Sequence, residues 1–353
     1  MNAMKNIKTS VSIILLTYNS MKDLPECIPS LLSQTYTDFE VIVVDNASID
    51  GTTDFIRSNY PQLKMIETGA NLGYPGGNNT GFKHAYGDYV VVVNPDTVAD
   101  PEWLAELIRP LEEDPHTTVT TPKIKIYYEK DKINTCGNIP HYTGLTFCRG
   151  LHAPADSCNL QEEVGAISGC AFAIRREMLD HIKGFDADFF LYMEDADLSW
   201  RVRFAGGKIV YVPTSLIYHK FKLSIVAWKH FYLERNRYMI LLKNLDTRTL
   251  LLLFPGLIVS EIVTMGHSIL NGPEYVHNKF KAYWWIIKNR NLVLDKRRKT
   301  LAMKTISDKE FFRLLEWRIP FEQVIENKPF RLCADKLFNT CHKLHYKIIA
   351  KLA

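Results

Sequence analysis

Three apolar runs, each breaking off into a polar cluster, constrain the fold of this chain more than any other feature. VSIILL (11–16) stops at Thr17-Tyr18-Asn19, VIVV (41–44) at Asp45-Asn46-Ala47-Ser48, and VVVV (90–93) at Asn94-Pro95-Asp96. Nothing alternates within the valine run and every side chain in it is β-branched, the pattern of a strand buried on both faces. Between the runs, MKDLPECIPSLLSQ spaces Leu24, Ile28, Leu31 and Leu32 at helical intervals, Thr52 to Tyr60 and Asn78 to Tyr86 read as further helices, and LKMIET as a short strand. The order β-α-β-α-β-α-β implies an α/β fold with a mostly parallel sheet and helices on both faces. Ligands of such sheets bind beyond the carboxyl ends of the strands, so the three polar clusters are expected to converge in one pocket.

Further along, residues 126–162 carry turn signals and little periodicity, which predicts excursions, short strands and a lid. GAISGCAFAIRREML predicts a strand running into a helix. FFLYMEDADLSWRVRFAGG predicts a short apolar strand, a carboxylate cluster and a helix closed by Gly206-Gly207. KIVYVP supplies one more strand before Tyr218-His219, and WKHFYLERNRYMILLKN a basic helix.

Charge divides the chain after His219. Residues 1–219 hold 18 Lys and Arg against 28 Asp and Glu, whereas residues 220–353 hold 25 against 11. An acidic part suits metal ions; a basic one suits an anionic surface such as phospholipid or a lipid-linked pyrophosphate. The basic half contains no recognisable nucleic-acid module, so nucleic acid is not expected as a partner. Seven widely spaced cysteines with no CxxC pair argue against zinc or a redox site and for a reducing, cytoplasmic setting. The first ten residues, MNAMKNIKTS, have no apolar core, and no secretory signal is expected.

The acids Asp45, Asp96, Glu194, Asp195 and Asp197 all follow strands or begin a helix. Singly, an acid in a first helical turn is an ordinary dipole partner. Together, and in order, VSIILLTYNS, VIVVDNASIDGT, NLGYPGGNNTGF, VVVNPDT, GAISGCAFAIRR, GFDADFFLYMEDADLSWR and ERNRYMILLKN resemble family 2 inverting glycosyltransferases of the GT-A (Rossmann-like) fold, in particular the rhamnosyltransferase-like branch that builds cell-surface polysaccharides. The resemblance runs through residues 9–244.

That resemblance implies a GT-A domain over residues 1–220 and a helical, acceptor- and membrane-associating region over 221–353. It assigns Thr17, Tyr18, Asn19, Asp45 and Asn46 to the base and ribose of a nucleotide-sugar, and Asn71, Gly73, Gly77, Asn78 and Asn79 to a loop beside ribose and diphosphate. Glycine-rich turns before helices let backbone N–H groups approach phosphate. Asn94-Pro95-Asp96 falls where the family carries an Asp-x-Asp metal motif, with Asn94 replacing the first acid. One carboxylate plus phosphate oxygens and water is enough to hold Mg2+ or Mn2+. Asp195, in Glu194-Asp195, matches the catalytic base, which removes the acceptor hydroxyl's proton. His219 stands where some members place a further metal ligand, though a histidine after a strand is equally a structural residue. Trp200 and Arg201 would line the acceptor side or pack the helix, and Arg235, Asn236 and Arg237 would touch diphosphate or lipid head groups or lie exposed.

The apolar stretch 249–270 is long enough to span a bilayer, but Glu261 interrupts it, as does Pro255-Gly256, and both flanks are basic. A re-entrant or in-plane hairpin on the cytosolic leaflet, with Trp284 and Trp285 at the interface, is therefore expected, the alternative being a buried helical hairpin. The overall expectation is a metal-dependent, inverting transferase, peripheral or monotopic on the inner face of the cell membrane. It would move a sugar, L-rhamnose first, from a dTDP-, UDP- or GDP-linked donor to a lipid-linked or polysaccharide acceptor. Other hexosyl- or N-acetylhexosaminyltransferases and a non-catalytic nucleotide-sugar-binding protein remain alternatives. A nucleotidyltransferase would need a Gly-rich basic signature near the first strand, and a processive synthase several clear spans; neither is present.

Overall fold

The computed structural model describes residues 9–221 and 226–352. Residues 1–8, on which the expectation of no secretory signal rests, lie outside the described residues. The strands are β1 (Val11–Thr17), β2 (Phe39–Asp45), β3 (Lys64–Glu67), β4 (Tyr89–Val93), β5 (Thr97–Ala99), β6 (Thr117–Ile126), β7 (Glu129–Thr135), β8 (Asn138–Pro140), β9 (Thr146–Cys148), β10 (Glu162–Glu163), β11 (Ala171–Arg175) and β12 (Lys208–His219). The first helices are α1 (Leu24–Leu32), α2 (Thr52–Asn59), α3 (Gly73–Phe82), α4 (Trp103–Glu113), α5 (Arg176–His181) and α6 (Glu194–Phe204). Seven more follow: α7 (Ala227–Asn244), α8 (Thr247–Asn271), α9 (Pro273–Lys288), α10 (Arg290–Leu301), α11 (Asp308–Phe312), α12 (Lys328–Ala334) and α13 (Thr340–Leu352).

The main sheet runs β10-β12-β6-β11-β4-β1-β2-β3. Its β4-β1-β2-β3 half is parallel, as the alternation of strands and helices requires. The other half is mixed, because β11 pairs antiparallel with both β4 and β6, and β6 returns as β7 through a turn too short for a parallel crossover. The valine run is fully buried, with α1 and α4 covering one face of the sheet and α3, α5 and α6 the other.

Two helix boundaries differ from expectation for one reason. α3 begins at Gly73 rather than Asn78, so the glycine-rich segment is helix. A Cβ on Gly77 would stand 2.3 Å from Leu16 Cδ1 and one on Gly81 2.6 Å from Ile14 Cγ2, so these glycines let α3 lie close on β1. Likewise Pro255-Gly256 does not break α8, which is one continuous helix. A Cβ on Gly256 would meet Tyr142 Oη at 2.6 Å and His345 Nδ1 at 2.7 Å, so here too the glycine marks a close approach. The hairpin turn comes instead at Gly272 (φ +114°), before Pro273 opens α9.

Candidate functional site

The carboxyl ends of β1, β2 and β4 converge as the pattern of apolar runs requires. In the parallel register Thr17 stands opposite Asp45, and Thr17 Oγ1 donates to Asp45 Oδ1 (3.1 Å). Asp45 Oδ2 also accepts from Ser48 N (3.0 Å). Asn19, in the left-handed region at φ 51°, donates its N–H to Ser48 Oγ (2.9 Å) and accepts from Ile49 N (2.9 Å), which ties the two loops together. Tyr18 beside them is 49% exposed, leaving its ring free to cover a flat ligand.

Asp96 is placed by the strands around it. Thr97 Oγ1 donates to Asn94 O (2.7 Å), closing the Asn-Pro-Asp turn, and Lys220 N donates to Asp96 O (2.9 Å). Pairing of β5 with β12 sets His219 opposite Thr97 and brings its Nε2 to 3.3 Å from Asp96 Oδ2. The other imidazole nitrogen meets Asn134 Oδ1 (2.9 Å), and the Cys170 thiol lies alongside. Burial opposes charge on both groups, but the His219 contact holds the Asp96 carboxyl below its ordinary value, while Cys170 and Asp96 hold the imidazole above its own. One carboxylate and one imidazole suit a divalent cation that draws its remaining ligands from a diphosphate and water. Among the described residues no three His, Cys, Asp or Glu side chains gather to hold an ion unaided.

Asp195 sits in the first turn of α6, where its Oδ1 accepts from Ala196 N (2.8 Å). Its Oδ2 accepts from Gly169 N (2.9 Å) and Asn138 Nδ2 (3.3 Å). Next to it Glu194 is 7% exposed and its Oε2 has no hydrogen-bond partner. Burial raises both carboxyls above the usual range, and Glu194 is raised further because the Asp195 charge adds to the burial. Two consecutive residues connect this carboxylate to the Asp96 side. Gly169 donates to Asp195, while Cys170 accepts from Asn94 N through its carbonyl (2.9 Å) and touches His219 with its thiol. Tyr74 Oη of α3 donates to Gly169 O from below.

Residues 12–183 match the family model Glycosyl transferase family 2. These residues carry a glycosyltransferase family 2 domain. A rhamnosyltransferase is among its relatives. An N-acetylglucosaminyl-diphospho-decaprenol L-rhamnosyltransferase of Mycobacterium tuberculosis is 28% identical over 234 residues, 59% of this chain and 75% of that one. Among solved structures, S. aureus TarS 1–349 in complex with UDP-GlcNAc superposes with a TM-score of 0.54 at 17% identity, covering 97% of this chain and 90% of that one. The mannosyltransferase PcManGT from Pyrobaculum calidifontis, in complex with GDP-Man and Mn2+, does so at 0.51 and 17% identity, covering 97% and 88%.

In this glycosyltransferase the segment before Glu194 is not the apolar strand its composition suggests. After a 3-10 turn, Phe190, Tyr192 and Met193 all have positive φ (60°, 64° and 67°), a costly conformation for such residues. The conformation is imposed from α7. Asn236, fully buried, directs Nδ2 at Phe189 O (3.1 Å), Leu191 O (3.0 Å) and Tyr192 O (2.6 Å). Arg235 donates to Asp188 O (2.8 Å) and Phe189 O (2.6 Å), and its Nε fixes Asn236 Oδ1 (2.8 Å). Tyr74 N closes the far side on Phe190 O (2.8 Å).

Several residues singled out from the sequence stand elsewhere. Trp200 does not line an acceptor surface: it is 1% exposed and packs edge-on against Phe311. Arg201 is also buried, paired with Asp197 (2.8 Å) and donating to Ile182 O and Gly184 O (2.8 Å each). Arg235, Asn236 and Arg237 are buried rather than exposed to head groups. Asn46 spends its amide on Asn71 Oδ1, Gly73 O and Leu72 N, holding the 68–73 loop, in which Asn71 Oδ1 also accepts from Gly73 N (2.9 Å). Asn78 is buried and donates to Tyr74 O (3.0 Å), and Asn79 clamps both backbone groups of Phe185 (2.8 and 2.9 Å). Gly77 is helix packing and Gly73 leaves room for Phe190 O, so this segment supports the site from behind. Asn138 and Asn134 were missed by sequence reasoning because they lie in the stretch without periodicity, and Gly169 because its part is played by a backbone N–H, which no side chain announces.

Proposed function

We propose that this glycosyltransferase moves a sugar, L-rhamnose first, with inversion from a nucleoside-diphosphate donor to a lipid-linked or polysaccharide acceptor at the cytosolic face of the membrane. The observation that carries the reading is the Gly169-Cys170 step, which sets a raised-pKa carboxylate beside the Asp96 and His219 pair. Tyr18 and Asn19 form the mouth for base and ribose, above the buried Thr17 and Asp45 pair at its floor. Asp96 and His219 would hold Mg2+ or Mn2+ together with diphosphate oxygens, and such an ion supplies charge to stabilise the departing diphosphate. Asp195, oriented by Gly169 N and Asn138, takes the proton of the acceptor hydroxyl as that oxygen attacks the anomeric carbon from the face opposite the diphosphate. Glu194 has a buried oxygen without a partner, whereas the Asp195 oxygens accept from Gly169 N, Asn138 Nδ2 and Ala196 N, so Asp195 is the better supported of the two as a carboxylate. Residues 1–220 would then serve the donor and 221–353 the acceptor and membrane, a division supported by the charge asymmetry of the two parts.

Rhamnose ranks first because of the mycobacterial relative, which acts on a lipid diphosphate by its name. Calorimetric titration with dTDP, UDP and GDP, each with and without Mn2+, tests the donor site without an acceptor. Tight, Mn2+-dependent binding of one nucleotide supports it, with dTDP pointing to rhamnose; a folded sample that binds none contradicts it.

A further inference from the structure

We propose that the outer faces of α8, α9 and α13 form a docking surface for an anionic lipid bilayer, with α8 lying along the bilayer plane rather than across it. The idea deepens the reading of a membrane-borne acceptor given above and rests on it for its purpose, though not for its test.

α8 is long and apolar enough to cross a membrane, yet its inner face is committed to protein. Glu261, halfway along, accepts hydrogen bonds from Arg237 and Tyr238 of α7 and Tyr283 of α9, and pairs with Lys279 of α9 (3.2 Å). Lys279 is fully buried and also pairs with Glu234. Ser260 and Ser268 of the same face bond Thr143 Oγ1 (2.7 Å) and His230 Nε2 (2.8 Å). Moving α8 into a bilayer as a span would strip these charges of their partners, which is costly in hydrocarbon.

The outward side of α8, away from Leu253 and Ser260 and running beside Glu261, has no partner among the described residues. Leu251, Phe254, Ile258, Ile262 and Ile269 recur at helical spacing and are all exposed, from 47% at Ile258 to 73% at Leu251. Phe280, Trp284 and Ile287 continue the exposed apolar surface on α9, which Tyr283 ties to α8 through Glu261. Leu344, Ile348 and Leu352 do so on α13, where His345 Nε2 meets Leu252 O at 3.0 Å. Exposed large apolar side chains on three helices that pack together exceed the single scattered ones of an ordinary surface.

Charge selects the occupant. Lys343, Lys347 and Lys351 are exposed between the leucines and isoleucine of α13, a helix without acids, and Lys281 and Lys288 flank the α9 residues. Lysines interleaved with large apolar side chains and an exposed tryptophan match the interface of a bilayer that contains anionic lipid. A second copy docked by two-fold symmetry would set one row of lysines against another.

Sedimentation of the full chain with vesicles tests this, comparing phosphatidylcholine alone with phosphatidylcholine plus phosphatidylglycerol. Wild type should pellet with the anionic vesicles and be released by salt. Phe254→Ser/Ile258→Ser/Trp284→Ser should weaken partitioning on the order of tenfold or more, since apolar burial drives it, and Lys343→Glu/Lys347→Glu should abolish the preference for anionic lipid. Nucleotide binding by both variants in solution should stay at the wild-type value, which shows that they fold. The proposal is overturned if wild type ignores both vesicles or if the triple variant binds them unchanged. It is equally overturned by a concentration-dependent dimer that the triple variant abolishes, or by resistance to alkaline extraction, the mark of a span. If vesicle binding behaves as stated while no nucleotide binds, it is the donor reading that fails.

Discussion

Replacing Asn236 with Ala removes the group that imposes the backbone conformation before Glu194. Its two amide hydrogens are shared among three carbonyls at 2.6 to 3.1 Å, of which Phe189 O keeps Arg235 as a donor while Leu191 O and Tyr192 O lose their side-chain partner. Leaving a buried acceptor unsatisfied costs about 1–3 kcal/mol, so two lost bonds put about 2–6 kcal/mol at stake. Against this, Phe190, Tyr192 and Met193 each store about 1–3 kcal/mol of backbone strain, which the freed loop would release. The two effects oppose one another, so the net loss of stability should be small while the loop moves. A displacement of ~1 Å at a reacting group costs on the order of a hundredfold in rate. The assay is steady-state transfer together with calorimetric nucleotide binding and thermal unfolding. The expected result is kcat lower by about a hundredfold, nucleotide affinity near wild type and a Tm shift of a few degrees. Wild-type kcat, or a loss confined to nucleotide binding, would refute the assignment of Asn236 as a positioning residue.

Glu194→Gln, which copies the protonated carboxyl, should retain most of the activity and leave the pH profile in place; its loss would mean that Glu194 works ionised. In wild type, the burial that raises Asp195 should put the acid limb of kcat above the ordinary carboxylate range, with rate rising as pH increases through it, as read from a pH–rate profile. Gly73→Ala adds a Cβ 2.2 Å from Phe190 O at a residue with φ +70°, so it should cost at least ~1–3 kcal/mol in denaturant unfolding and depress kcat through the same loop. Lys279→Met leaves Glu234 and Glu261 with Arg237 as their shared cation and should destabilise by about 3–5 kcal/mol, measured as a lower Tm.

What could be read from the sequence follows a physical boundary. β1, β2 and β4 were legible because short apolar runs without helical spacing have few ways to be buried, and their polar ends converge in any parallel sheet. Asp96 stood out for the same reason, as a carboxylate delivered at the end of such a strand, and Asp195 through the resemblance of its Glu-Asp segment to the family's motif. Asn138 did not, because its stretch has no periodicity and its partner lies 57 residues away. Arg235 and Asn236 were misread as exposed, since helical spacing cannot show that their partners are the carbonyls of an irregular loop. FFLYM reads as a strand by composition, and only its clamp on α7 makes it a strained turn. At Gly77 and Gly256 the same letter that signals a turn instead marks a helix brought close to its neighbour.

The most direct test of the central claim compares wild type with Asp195→Asn. The account predicts that the variant binds the donor nucleotide with wild-type affinity and Mn2+ dependence while transfer to acceptor falls to background. Transfer by Asp195→Asn at the wild-type rate would contradict it, and the carboxylate held by Gly169 and Asn138 would not be the base.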